Sequence, residues 1–304
     1  MGAGPCCATK QSRSYKDGES QPQTQQQNQS SQNSNVLRSN KSTVALINQK
    51  IESAKKLRQL NINDLAVKQI DERFNEITQL SIINAVNCQV EGFKPPEGVK
   101  VLERSQESLR KINMSRNLLQ IMPVQMFSCQ QITVINMSHN KINSIPNEIS
   151  SLINLREIDL SHNQIKTLPD SLAQCSKLTV ISMNNNQLTQ FSLALLRLPA
   201  LEFLYLAHNQ ITQLPAQSDE QVTMWRQSGL KVIDLESNDI YHVPAIVFKE
   251  SKVHNLNLKD NHIKRNQLMN MEGIQEYQDR RKIKMDIVVN NNLDVNYDLC
   301  GLDK

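Results

Sequence analysis

The stretch Leu155–Pro169, LREIDLSHNQIKTLP, constrains this chain more than any other, because its spacing recurs. Written as L-x-x-L-x-L-x-x-N-x-L, then an apolar residue and proline, the template starts at Leu109, Ile132, Leu155, Leu178 and Leu201, 23 residues apart each time. It resumes at Leu230 after 29 residues and at Val253 after 23, and a fragment at Lys284 carries Ile287, Val289 and Asn292. Weaker copies start upstream at Leu80 and Leu57. About ten repeats are expected, seven of them well formed.

The spacing dictates the local structure. Apolar residues at the fourth and sixth positions, Ile158 and Leu160 here, alternate with polar ones and describe a short strand with one face inward. Such strands stack about 4.8 Å apart into a parallel sheet, because one repeat cannot bury its own apolar face and a stack can. The ninth-position asparagine (Asn117, Asn140, Asn163, Asn186, Asn209, Asn238, Asn261) turns the chain and offers hydrogen bonds to backbone groups inside the bend. Cys88 takes that place in the second repeat. A proline (Pro123, Pro146, Pro169, Pro215, Pro244) then leads the chain over the convex side.

This is the leucine-rich-repeat pattern. The fold expected is an α/β solenoid with a curved parallel sheet on its concave face, an irregular or helical convex face, a helical N-terminal cap and a disordered N-terminal tail. Residues 1–42 are rich in Gln, Ser and Asn, too poor in apolar surface to offset ordering entropy, and read as a tether. Residues 43–56 read as a capping helix with Val44, Ile47, Ile51 and Ala54 on one face; residues 57–292 read as the repeat domain and 293–304 as a tail. Two repeats are long. KPPEGVKVLERSQES extends the second, and PAQSDEQVTMWRQSG inserts a helical turn in the seventh with Val222 and Trp225 facing in.

The chain opens MGAGPCCATK, in which removal of Met1 exposes Gly2 for myristoylation beside Cys6 and Cys7 for palmitoylation, a partial match because Cys6 stands where Ser or Thr is usual. Two acyl chains hold a membrane stably where one does not. No apolar run approaches the ~20 residues of a membrane span. The remaining cysteines, Cys88, Cys129, Cys175 and Cys300, form no C-x-x-C pair and read as reduced thiols of a cytosolic protein. A net charge of +4, without aromatics interleaved among the basic runs, gives no sign of nucleic-acid binding.

The repeats with their I-P or L-P step, the opening Met-Gly and the closing E-G-x-x-x-Y-x-x-R (Glu272, Gly273, Tyr277, Arg280) resemble the small intracellular leucine-rich-repeat proteins, the family of leucine-rich-repeat-containing protein fifty-seven among them. The likeness spans roughly residues 45 to 290, whereas the Gln-rich tether and the Cys6–Cys7 pair depart from that family. The resemblance implies the architecture and leaves the biochemical role open.

No P-loop, dinucleotide turn, G-x-S-x-G or H-E-x-x-H is present, so neither a catalytic centre nor a cofactor is expected. His139, His162 and His208 each precede the repeat asparagine and share a column, read as a solvated edge in preference to a zinc site because no cysteine or carboxylate joins it. The concave face is more informative. Val180, Phe203 and Val232 occupy the third position of three successive strands, Tyr205 stands beside Phe203, and Glu202, Asp234, Glu236 and His208 rim them. Contiguous apolar residues there mark a protein-binding patch, although the same residues also favour strands for their own sake. Asn84, Asn113, Asn136 and Asp159 form a polar, hydrated ladder beside it. The expectation is a monomeric, non-catalytic adaptor for another protein; the alternative is a regulatory subunit docking on a signalling enzyme such as a phosphatase or small GTPase.

Overall fold

The computed structural model describes residues 43–70, 72–93, 102–290 and 300–302. Nine three-residue strands, β1 (Gln59–Asn61), β3 (Ile82–Asn84), β5 (Lys111–Asn113), β6 (Val134–Asn136), β7 (Glu157–Asp159), β8 (Val180–Ser182), β9 (Phe203–Tyr205), β10 (Val232–Asp234) and β11 (Asn255–Asn257), form one parallel sheet in sequence order. The short strands β2 (Gln69–Ile70) and β4 (Gly92–Phe93) pair separately. The register advances by one repeat per strand, so Ile135, Ile158, Ile181, Leu204 and Ile233 stand in one row. That row and the sixth-position row of Met137, Leu160, Met183, Leu206 and Leu235 are buried. Each such side chain contributes about 1.5–3 kcal/mol of burial. The leucine-rich-repeat solenoid expected from the spacing is therefore the fold observed.

The asparagine column works by linking neighbouring repeats. Asn163 donates through Nδ2 to the Leu160 carbonyl of its own turn (2.9 Å) and to the Met137 carbonyl of the repeat before (3.1 Å), while Oδ1 accepts the Ile142 amide (2.9 Å). One side chain thus satisfies three backbone groups that the bend would leave unpaired. Cys88 replaces it with a thiol donating to the Ile62 carbonyl at 2.9 Å.

Across the convex side, Pro123, Pro146 and Pro169 each precede a five-residue 3-10 turn, because a fixed φ starts such a turn and the missing N–H costs nothing there. In the sixth repeat Ser192 stands in for proline and caps α2 (Leu193–Leu196) through Oγ. The insertion in the seventh forms α3 (Asp219–Gln227), capped by Ser218; Trp225 is fully buried, with Nε1 donating to the Pro215 carbonyl at 2.7 Å. Of the second repeat's extension, residues 94–101 lie outside the described residues.

Both ends of the sheet are covered. Helix α1 (residues 43–57) turns Ile47, Ile51 and Ala54 inward, but Val44, expected on that face, is 46% exposed. At the other end stand α4 (Ala245–Lys249), α5 (Arg265–Met269) and α6 (Ile274–Asn290). Glu272 pairs with Lys249 at 2.6 Å, and Arg280 reaches the carbonyls of Val253 and Phe248. The closing E-G-x-x-x-Y-x-x-R motif is thus a structural cap.

The tenth repeat expected at Lys284 does not form. Ile287 and Val289 lie within α6, whose sequence holds no glycine or proline to stop it. The layer after β11 comes instead from the segment expected to be a tail. The Cys300 carbonyl accepts the Leu258 amide at 2.8 Å, repeating the bonds from Leu235 to Asn257 (2.9 Å) and Leu206 to Asp234 (2.8 Å).

Candidate protein-binding surface

Strand pairing sets the geometry of the concave face. Glu157, Val180, Phe203, Val232 and Asn255 form one row across β7 to β11, and Asp159, Ser182, Tyr205, Asp234 and Asn257 form the row beside it. Because side chains alternate along a strand, Phe203 and Tyr205 share the outer face while Leu204 between them is buried. Val180, Phe203, Val232 and Tyr205 are half-buried, covered partly by their row neighbours, so the patch is shallower than the sequence suggests.

The second row is largely occupied by its own turns. Asn61, Asn113, Asn136, Asp159, Asp234 and Asn257 each accept, through the side-chain oxygen, the amide two residues on, at 2.9–3.3 Å. Three of the four ladder residues, Asn113, Asn136 and Asp159, thus each commit one oxygen to their own turn. Tyr205 cannot make this bond. Asn184 of the preceding repeat supplies it instead, accepting the Ala207 amide at 2.8 Å. The turn is satisfied without Tyr205, as the second repeat's is by Asn63, which accepts the Val86 amide at 2.9 Å, so an aromatic ring stands where six other strands place a turn-capping Asx side chain.

The expected acidic rim is also partly committed. Glu202 pairs with Lys231 and Glu236 with Lys259, both at 2.6 Å. The Lys259 hydrogen bond holds the Glu236 carboxyl below its usual range. Burial pushes the Asp234 carboxyl up, against the hydrogen bonds from the Glu236 amide and from Asn257 (2.9 Å) that favour its ionised form. His208 is exposed.

The histidine column has a backbone cause. Arg116, His139, His162, Asn185 and His208 all have φ between 55° and 58°. Asn, Asp and His tolerate this left-handed conformation better than other side chains, so the repeat selects them before any chemistry does. His139 and His162 stack at 4.0 Å, and Asn185 lies 3.4 Å from His162 Nε2, separating them from His208. No group of three metal-ligating side chains occurs among the described residues.

Gly2, Cys6 and Cys7 lie outside the described residues. Cys129 and Cys175 are buried, and burial pushes both thiols up to about 11. Tyr241 went unnoticed in the sequence. It is 66% exposed, stacks on His262 at 4.3 Å and lines a cleft with Leu214, Ala216 and Pro244. Its position holds Gln120, Asn143, Lys166, Thr189, Thr212 and Lys264 in the other repeats, so the repeat alignment carried the signal.

The profile of the leucine rich repeat family matches residues 107–165 and 153–211. No curated protein matches the chain by sequence. Among solved structures, a Leptospira interrogans leucine-rich-repeat protein superposes with a TM-score of 0.57 at 20% identity, covering 73% of this chain and 58% of that one. The chain thus spans less than two thirds of that protein. The leucine-rich repeat domain of the type III effector XopL gives a TM-score of 0.64 at 17% identity, covering 79% of each chain. Internalin C2 of Listeria monocytogenes gives 0.53 at 18%, covering 71% of this chain and 90% of that one. These likenesses concern the fold.

Proposed function

We propose that this leucine-rich-repeat protein is a non-catalytic adaptor that holds another protein against its concave sheet, at the patch centred on Phe203 and Tyr205. Solenoids of this kind generally serve as extended protein-binding surfaces. The observation that carries the reading is the aromatic pair on one outer face of β9, where Asn184 caps the turn and leaves Tyr205 free of that task, directly beside the apolar row of Val180, Phe203 and Val232. An aromatic pair on an open sheet, rimmed by charge, suits an interface centre. The same reading places the protein in the cytoplasm, with Gly2, Cys6 and Cys7 acylated to tether it to a membrane.

Affinity capture from cell extract with wild type, Phe203→Glu and Gly2→Ala tests it. Wild type and Gly2→Ala are expected to retain a common protein that Phe203→Glu loses while keeping a native melting transition. Retention of the same proteins by Phe203→Glu overturns the patch and directs attention to the Tyr241 cleft. If the captured partner is an enzyme whose rate changes on binding, the protein is a regulatory subunit; an unchanged rate keeps it an adaptor.

A further inference from the structure

On β9 to β11 the acids that face the concave side are already matched. Glu202 meets Lys231, Glu236 meets Lys259, and Asp234 receives Asn257. On β7 the situation differs. Glu157 is exposed and Asp159 half-buried on the same outer face, and neither has an ion-pair partner among the described residues. Asp159 accepts the Ser161 amide through one oxygen, and the Glu157 carboxylate accepts no hydrogen bond among the described residues. Arg156, at the repeat position that Glu202 and Lys231 hold, forms no ion pair with Glu157 among the described residues.

These two carboxylates are not isolated from the patch. Glu157 begins the row that continues as Val180, Phe203 and Val232, and Asp159 begins the row that continues as Ser182 and Tyr205. Two strand spacings, about 10 Å, separate each acid from its aromatic row-mate. Uncompensated negative charge beside an apolar centre sets the sign of the partner, since complementary potential selects among candidates that apolar contact alone would accept.

We infer that the concave face takes a protein segment presenting an apolar side chain over Phe203 and Tyr205 and, about 10 Å away, a Lys or Arg between Glu157 and Asp159. In an extended segment, whose alternate side chains share a face, residues two or four apart bracket that distance, a long basic side chain spanning the difference. This rests on the reading of the Phe203–Tyr205 patch as the binding site, and adds the partner's charge and spacing.

The full chain is screened against a displayed library of random dodecamer peptides, in parallel with a Glu157→Gln/Asp159→Asn variant and with Phe203→Glu. Asn at 159 preserves the turn, because Asn113 and Asn136 make the same bond (3.1 and 3.0 Å), and a native melting transition verifies each variant. Wild type is expected to enrich peptides that pair an apolar residue with Lys or Arg two or four positions away. The double variant is expected to keep the apolar preference, lose the basic one, and bind the wild-type peptides about fivefold more weakly, while Phe203→Glu enriches none of them. Enrichment of apolar peptides without a basic preference, or a basic preference unchanged in the double variant, overturns this inference and leaves the patch intact. Peptides bound equally by Phe203→Glu overturn the patch itself, and no enrichment by wild type overturns the inference.

Discussion

The Tyr277 hydroxyl accepts the Leu256 amide at 3.0 Å and thereby closes the edge of the last sheet strand. A strand edge with a free amide invites pairing with another chain. Tyr277 is fully buried and its ring meets Phe248 edge-on at 5.5 Å, so its position is fixed by packing. Tyr277→Phe keeps that packing and strands the amide. The expected result is a loss of about 1–2 kcal/mol in denaturant unfolding, with faster hydrogen exchange at Leu256. Unchanged exchange at that amide would mean that another acceptor takes the bond.

Gly273 precedes α6 with φ +85°, and a Cβ there would come within 2.6 Å of the Lys249 backbone nitrogen. Neither the backbone angle nor the contact accommodates a side chain. Gly273→Ala is expected to cost about 3 kcal/mol, measured by urea unfolding, because the cap must lift from α4 to relieve the clash. A cost below about 1 kcal/mol would show that the cap adapts.

Asn186 donates to the carbonyls of Leu160 (3.0 Å) and Met183 (3.2 Å) and accepts the Ile165 amide (3.0 Å). Asn186→Ala leaves these buried groups without their partner and is expected to cost about 3 kcal/mol or more in the same assay. Asn143→Ala is the control. Its side chain is exposed and accepts only the Ser144 hydroxyl at 3.0 Å, and its loss is expected to stay within about 0.5 kcal/mol.

The repeat was legible because its causes are local. A side chain that faces inward every second residue, a turn that needs an amide-bearing side chain and a proline that starts a convex turn each leave a residue type at a fixed spacing, as Ile158, Asn163 and Pro169 do. The layer after β11 was not legible. Ile287 and Val289 alternate like a strand, but the same stretch continues a helix whose first turns are fixed by Tyr277 and Arg280, and Cys300 arrives from later in the chain. The site was legible only as a row of residues. That Asp234 and Glu236 face outward follows from alternation, whereas their engagement by Asn257 and Lys259 depends on which neighbours the next repeat brings. The same limit hid that Glu157 and Asp159 stand without an ion-pair partner among the described residues.

His139 carries the clearest pH dependence on the concave face. Burial lowers its pKa, the nearby His162 and Arg116 lower it further, and Asp159 opposes them. An unfolded histidine titrates near 6.5. Between the folded and unfolded values the unfolded chain holds more protons, so stability is fully present above about pH 6.5 and is lost as pH falls through the folded value. His254, also lowered chiefly by burial, adds to the same acid limb. Asn185 occupies the equivalent position with φ 56°, against 55° at His139, so asparagine suits this backbone. His139→Asn is therefore expected to match wild type in Tm at about pH 7.5 and to lose less by about pH 5.5, with the remaining loss belonging to His254 and other titrating groups. Equal losses in the two proteins would mean that the stacked pair accepts a proton without strain.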